Sequence, residues 1–164
     1  MIGILLTLLL VQPPPADTLA TMHGLGPLRI GMPVRALRGL GAVPDFQPDE
    51  PSGCHYWRFP QESQESGLGL MVVDDRLVRI DIHQSYGTAS GARIGMTEAE
   101  VRAIYGPRMR VEPHPYTGPD GHYLIYQARD EPYGLIVETD HESGRAIMLR
   151  VGLWENVQWI EGCS

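Results

Sequence analysis

The densest run of potential chemistry lies at residues 112–123, Glu-Pro-His-Pro-Tyr-Thr-Gly-Pro-Asp-Gly-His-Tyr. Imidazole and carboxylate are zinc ligands, so His114, Asp120 and His122 would meet at a metal if the proline-rich loop folded back on itself. No HxxxH or CxxC spacing supports that geometry, and Pro119 and Gly121 account equally well for Asp120 as a turn residue. The segment serves either as an exposed turn or as a protein-contact loop presenting His114, Tyr116, Asp120, His122 and Tyr123. The expected role is protein contact, with no metal and no cofactor.

Other catalytic patterns fail on spacing. Cys54 and His55 are adjacent, and neighbours in a strand point to opposite faces, which serves a Cys/His pair poorly. Ser66, Ser85, Ser90 and Ser143 lie outside any GxSxG word. Glu98 and Glu100 are two apart, so on a helix they do not face each other. Gly24-Leu25-Gly26 and Gly67-Leu68-Gly69 lack the continuation of a phosphate-binding or dinucleotide loop. The pairs Asp49-Glu50, Asp74-Asp75 and Asp130-Glu131 form no alternating calcium array. The sequence therefore points away from an enzyme. The alternative is a small extracytoplasmic enzyme, or a ligand- or metal-binding protein, using the His114–His122 loop.

The chain that must position these groups has 164 residues, one domain's worth or two small modules. Its 13 cations are all arginines, against 20 acids, for a formal charge of -7. That balance excludes a broad nucleic-acid surface and favours a basic partner surface. Residues 2–11 are apolar apart from Thr7, and prolines 13–15 lead to a small-residue region at 16–20. This has the length of a signal-peptide core, cut after Ala16 or Ala20, although no basic residue precedes it. A buried N-terminal strand is a competing reading. No cysteine follows to accept a lipid, and no later run has the roughly 20 apolar residues of a membrane helix. The expected product is periplasmic or secreted, with no membrane segment once the signal is removed. Cys54 and Cys163 are the only cysteines. In an oxidising compartment they are expected to form a bridge closing a long loop and pinning a C-terminal strand; the alternative is two unrelated buried thiols.

A repeat organises the rest. Arg29-Ile30-Gly31-Met32 and Arg93-Ile94-Gly95-Met96 each precede an apolar-periodic segment, with Leu37 and Val101 on the buried face. Thr97 and Glu100 fit a capping box. Pro33 fits a first helical position, which starts the two helices one residue apart. After each helix the period becomes two, predicting strands over 54–59, 68–73, 77–83, 109–112, 122–128, 135–139 and 146–151, with a final one near 157–160. In 77–83, Val78, Ile80 and Ile82 form an apolar face, and Arg79 and Asp81 fall on a wet one. Trp57 and Trp159 are expected in the core.

The expected fold is α+β: two divergent helix-plus-antiparallel-meander repeats sharing a sheet or core. Residues 1–20 form the signal, 21–87 the first repeat and 88–164 the second. The two Arg-Ile-Gly-Met words, each opening a short helix before a meander, resemble the exported SmpA/OmlA (BamE) modules and their tandem relative, the beta-lactamase inhibitory protein. The resemblance implies an exported, non-enzymatic protein-binding module acting in envelope assembly or on a secreted enzyme. The lipid-accepting cysteine of the first group and the multiple cysteines of the second are missing here.

Overall fold

The computed structural model describes residues 14–15, 18–45, 53–62, 67–84 and 86–163. The apolar run 2–11 and Ala16, on which the export signal rests, lie outside them. Strands β1 (Leu19–Thr21), β2 (Gly24–Leu25) and β3 (Leu28–Arg29) lead into helix α1 (Val34–Gly39). Then come β4 (Val43–Pro44), β5 (Cys54–Arg58), β6 (Leu68–Val73) and β7 (Arg76–Ile82). Strand β8 (Gly87–Thr88) precedes helix α2 (Glu98–Tyr105). Strands β9 (Arg110–Pro113), β10 (His122–Gln127), β11 (Tyr133–Thr139) and β12 (Ala146–Leu153) end in the one-turn helix α3 (Trp154–Val157).

The architecture is α+β with two sheets. The small one runs β3-β2-β1-β8 and the large one β4-β5-β6-β7-β12-β11-β10-β9. Every pairing in the large sheet is antiparallel, as short hairpin connections require. Strand β8, in the stretch expected to separate two modules, pairs in parallel with β1.

Local chemistry sets the helix starts. The Thr97 hydroxyl accepts from the Glu100 amide, and the Glu100 carboxylate accepts from the Thr97 amide at 2.8 Å, completing the capping box of α2. Pro33 is the residue before α1, not its first helical residue, and it makes no side-chain cap bond. Its ring holds φ at -75° beside an extended ψ of 152°, which suits that flanking place. The two helices therefore begin at corresponding positions, Val34 and Glu98, and the one-residue offset expected between them is corrected. In the β6–β7 hairpin Asp74 and Asp75 both have positive φ, which their short polar side chains tolerate.

One core joins both halves. Leu37 of α1 and Val101 of α2, both fully buried, pack in a single cluster with Leu70, Ile80, Leu135 and Val151 of the large sheet and Ala20, Leu25 and Leu28 of the small one. The opposite face of the large sheet is not the wet surface its alternation predicts, since Arg79 and Asp81 are only 2% and 4% exposed. The chain after β12 covers it: Trp154 and Val157 pack on Tyr123, Ile125 and Ile136 as a second cluster. Gly134 makes room for this helix, because a Cβ there would lie 2.6 Å from the Trp154 ring. Residues 157–160 form no strand, and Trp159 lies at the surface, while Trp57 is in the core. Two-residue periodicity cannot reveal a covering segment that arrives from far along the chain. Cys54 and Cys163, 109 residues apart, are joined by a disulfide that ties the end of this segment to β5. No helix among the described residues is long and apolar enough to cross a membrane.

Candidate functional site

The covered face is built around two arginines on the adjacent central strands, Arg79 on β7 and Arg150 on β12. Register places Arg150 opposite Asp81, and Met71 between Tyr56 and Arg79. Each arginine meets a tyrosine from the strand two places outward, Tyr56 on β5 and Tyr123 on β10.

Arg79 is saturated. Its Nε and Nη2 donate to the two Asp81 oxygens at 2.7 and 2.8 Å, and Nη2 also donates to the Tyr56 hydroxyl at 2.6 Å. Nη1 donates to the carbonyls of Asn156 and Trp159 at 3.0 and 2.7 Å. Tyr56 in turn donates to Asp81 at 2.7 Å. Burial and then Asp81 push the Tyr56 hydroxyl above the usual tyrosine range, against the opposing pull of Arg79 and Arg150. Burial pulls the Arg79 guanidinium down, but Asp81 and Tyr56 together outweigh it and hold it above its ordinary value. This carboxylate–guanidinium–phenol cluster is a fixed, charged rivet for the C-terminal segment.

Arg150, equally buried at 2%, is served less completely. Nη2 donates to Glu138 at 2.7 Å and reaches the Tyr123 hydroxyl at 3.4 Å, with the guanidinium 5.1 Å from the Tyr123 ring centre. Its Nε and Nη1 are buried with no hydrogen-bond partner among the described residues. Glu138 also accepts from Nε2 of His114 at 3.2 Å. The other His114 nitrogen, Nδ1, accepts from the backbone amides of Tyr116 and Thr117. That fixes the tautomer with its proton on Nε2.

Two concavities lie beside these groups, and another opens on the core side of the sheet. A cleft of about 360 Å³ has Arg79, Asp81 and Arg150 on its floor and the exposed Asp45 and Glu161 at its rim. On the far side of residues 160–162 a shallow groove of about 580 Å³ is lined by Tyr116, Trp159 and Ile160 beside the disulfide. A third, of about 390 Å³ between β1, β8 and α2, mixes apolar side chains with Thr21, Tyr126 and the group Thr88, Ser90 and Tyr105, whose hydroxyls bond one another.

The predicted contact residues separate. His114 and Tyr123 are buried in the Arg150 cluster, and Tyr116 is 65% exposed, its hydroxyl donating to Glu161, which raises its pKa above the ordinary value. Asp120 is exposed on the turn, and His122 pairs with Glu98 of α2 at 2.9 Å. The described residues contain no group of three or more His, Cys, Asp or Glu able to hold a metal ion. Sequence reasoning missed Tyr56, Arg79, Glu138 and Arg150. A signal was present in the words His55-Tyr56 and His122-Tyr123, followed by Val78-Arg79-Ile80 and Leu149-Arg150-Val151.

No family model and no curated protein matches the chain. Among solved structures it is similar to a cysteine-rich secretory protein from Staphylococcus aureus subsp. aureus Mu50, with 13% identity and a TM-score of 0.49 over 77% of this chain and 44% of that one. It is similar also to an extracellular protein containing a SCP domain from Bacillus anthracis str. Ames, with 13% identity and a TM-score of 0.47 over 85% of this chain and 47% of that one. The chain thus spans less than half the length of either protein. The resemblance to SmpA/OmlA (BamE) modules and to the beta-lactamase inhibitory protein is corrected by these neighbours, which belong to neither group. Its physical basis was two four-residue words, and such words mark a helix entry that many folds share.

Proposed function

We propose that the protein is an exported, non-catalytic protein-binding module whose contact surface is the groove at the disulfide. The carrying observation is that Tyr116, Trp159 and Ile160, three of the exposed large hydrophobic residues, converge there at 65%, 40% and 38% exposure. Amphipathic aromatic side chains of this kind anchor interfaces. Glu161 in the groove and the formal charge of -7 favour a partner with an apolar knob inside a basic rim. The disulfide fits an oxidising compartment outside the cytoplasm. The repeat reading draws support from the corresponding helix starts and from the paired Tyr56–Arg79 and Tyr123–Arg150 contacts.

Export should leave a mature chain starting after Ala16 and not after Ala20. A cut after Ala20 deletes two of the three residues of β1, including the fully buried Ala20. Mass spectrometry of secreted or periplasmic protein checks this; recovery of intact Met1 from a cytosolic fraction overturns export. For the contact surface, a photocrosslinking residue at Trp159 should capture a partner from envelope or medium fractions. One at the exposed Arg129 should not. Tyr116→Ala with Trp159→Ala should abolish capture, and undiminished capture by that double variant refutes the groove.

A further inference from the structure

The contact groove contains one group capable of covalent chemistry. Cys54 and Cys163 both lie in its lining, half-buried, beside Tyr116, Trp159 and Ile160. The chain has two cysteines in all, and both are in this bridge. With no third thiol to exchange with it, the bridge opens only when a second molecule brings two electrons. Its place within the groove gives such a molecule a surface to dock on. Protein dithiols react through a thiolate that neighbouring cations keep ionised, so their reactive face is partly exposed and electropositive. Opposite such a face this protein presents Glu161 in the groove and a formal charge of -7. A small thiol would need neither the aromatic side chains nor the carboxylate.

The groove in turn depends on the bridge. The Trp159 carbonyl is held by Arg79 at 2.7 Å, and Cys163 is held to β5 by the disulfide. Ile160, Glu161 and Gly162 are strung between those two points and line the groove. Opening the bridge removes the anchor at the far end and leaves the Tyr116–Glu161 hydrogen bond to hold this wall at the surface.

We propose that the groove docks a protein dithiol of the Cys-x-x-Cys class, which reduces the Cys54–Cys163 bridge. This deepens the protein-contact reading and rests on it. The partner's thiolate attacks Sγ of Cys163, forming a mixed disulfide and expelling the Cys54 thiolate. The second partner thiol then loses its proton and attacks the partner's own sulfur, and Cys163 leaves as a thiolate. Two electrons pass to the cysteines, one proton comes from the second partner thiol and one from water, and the partner departs as its disulfide. Cys163 is the sulfur attacked because it stands next to the chain end, whereas Cys54 is fixed in β5 by its pairing with Val73. The wall loosens once the bridge opens, so the reaction dismantles its own docking surface and releases the partner.

The test mixes the full, disulfide-bonded chain with thioredoxin, regenerated by its reductase and NADPH, and separately with dithiothreitol, and counts free thiols over time. Thioredoxin should open the bridge in the folded protein. Tyr116→Ala with Trp159→Ala should slow that reaction at least about tenfold, as expected for two lost aromatic anchors. The rate with dithiothreitol should stay within about twofold, because a small dithiol needs only access to the sulfurs. Both side chains are exposed, and Arg79 bonds the Trp159 carbonyl, so the variant keeps that contact. Should it misfold, both reagents will open its bridge faster; Ile160→Asp then takes its place, with the same slowing expected for thioredoxin alone. Thioredoxin with its second cysteine replaced by serine should be trapped on Cys163, located by peptide mapping after acid quenching. A bridge that resists thioredoxin, equal effects of the variant on both reductants, or an adduct trapped on Cys54 would overturn the proposal. Photocrosslinking through Trp159 is scored separately. Capture that persists while thioredoxin shows no dependence on the aromatic pair removes this proposal and leaves the contact reading standing, and loss of both removes both.

Discussion

The two sides of the large sheet place the same pair of side chains in different company. On the β4–β7 side, Arg79 and Tyr56 are completed by Asp81 on the same strand and by two carbonyls of the C-terminal segment. On the β12–β9 side, Arg150 and Tyr123 have Glu138 and, behind it, His114, but the place of Asp81 is taken by Gly152. No side chain on β12 closes the guanidinium fork. One arginine has become structural cement, while the other keeps donors in reserve. A buried cation is therefore no sign of function by itself.

The largest expected effect separates these two roles. Arg79→Met leaves the Asp81 carboxylate buried without its counter-charge and releases two tail carbonyls, which should cost about 3–5 kcal/mol in urea unfolding. Arg150→Met breaks the 2.7 Å pair with Glu138, but Glu138 keeps His114 and two of the lost donors already lack acceptors, so its cost should be smaller, about 1–2 kcal/mol. Equal losses would erase the distinction. Next comes the shared core: Leu37→Ala should cost roughly 2–5 kcal/mol by lost transfer energy and cavity formation. Val101→Ala removes one carbon fewer and should cost correspondingly less. If Leu37→Ala is mild, α1 contributes less to the common core than its burial implies.

Replacing both cysteines by serine should lower stability by about 2–4 kcal/mol, through the long loop they close. In that background Arg79→Met should cost less than in the bridged protein, because the tail carbonyls are no longer held against β7. A double-mutant cycle measures this coupling, and strict additivity would show that the rivet and the bridge act independently. The smallest effect concerns the helix starts. Backbone and side-chain hydrogen bonds from Thr97 hold the Glu100 carboxyl below its ordinary value of 4.5. A carboxyl depressed on folding adds stability above pH 4.5 and loses it as pH falls through the lowered value. The melting temperature of the natural protein should therefore drop more steeply below pH 4.5 than that of Glu100→Gln, and identical slopes would remove the box from the account. Helix α1, capped by Pro33 without a side-chain bond, has no such dependence to lose.

Much of the fold was legible because its determinants are local. The Thr97–Glu100 box and the Asp74-Asp75 turn each act within a few residues and appear where the sequence puts them, whereas the expected face of Val78, Ile80 and Ile82 holds only for the last two, because a register shift opposite Met71 and Val72 puts Leu77 in the core in place of Val78. The site was far less legible. Arg79 and Asp81 look like an exposed ion pair until a segment 75 or more residues later lies over them. His114 looks like a loop contact until Glu138, in another strand, draws it inward, and Tyr123 until Arg150 and the last helix lie against it. Burial of a charge is a property of the covering chain, and no window on the charge's own strand contains that information.

The disulfide also orders events in time. Cys54 is made 109 residues before its partner, about 5 to 20 s earlier at ordinary rates of synthesis. Through that interval the first thiol stays open to mispairing, and Arg79 waits for carbonyls that do not yet exist. The half of the molecule synthesised first is thus the half completed last, and chains stopped short of residue 163 carry a free thiol and an unfinished charge cluster that protease or oxidoreductase can recognise.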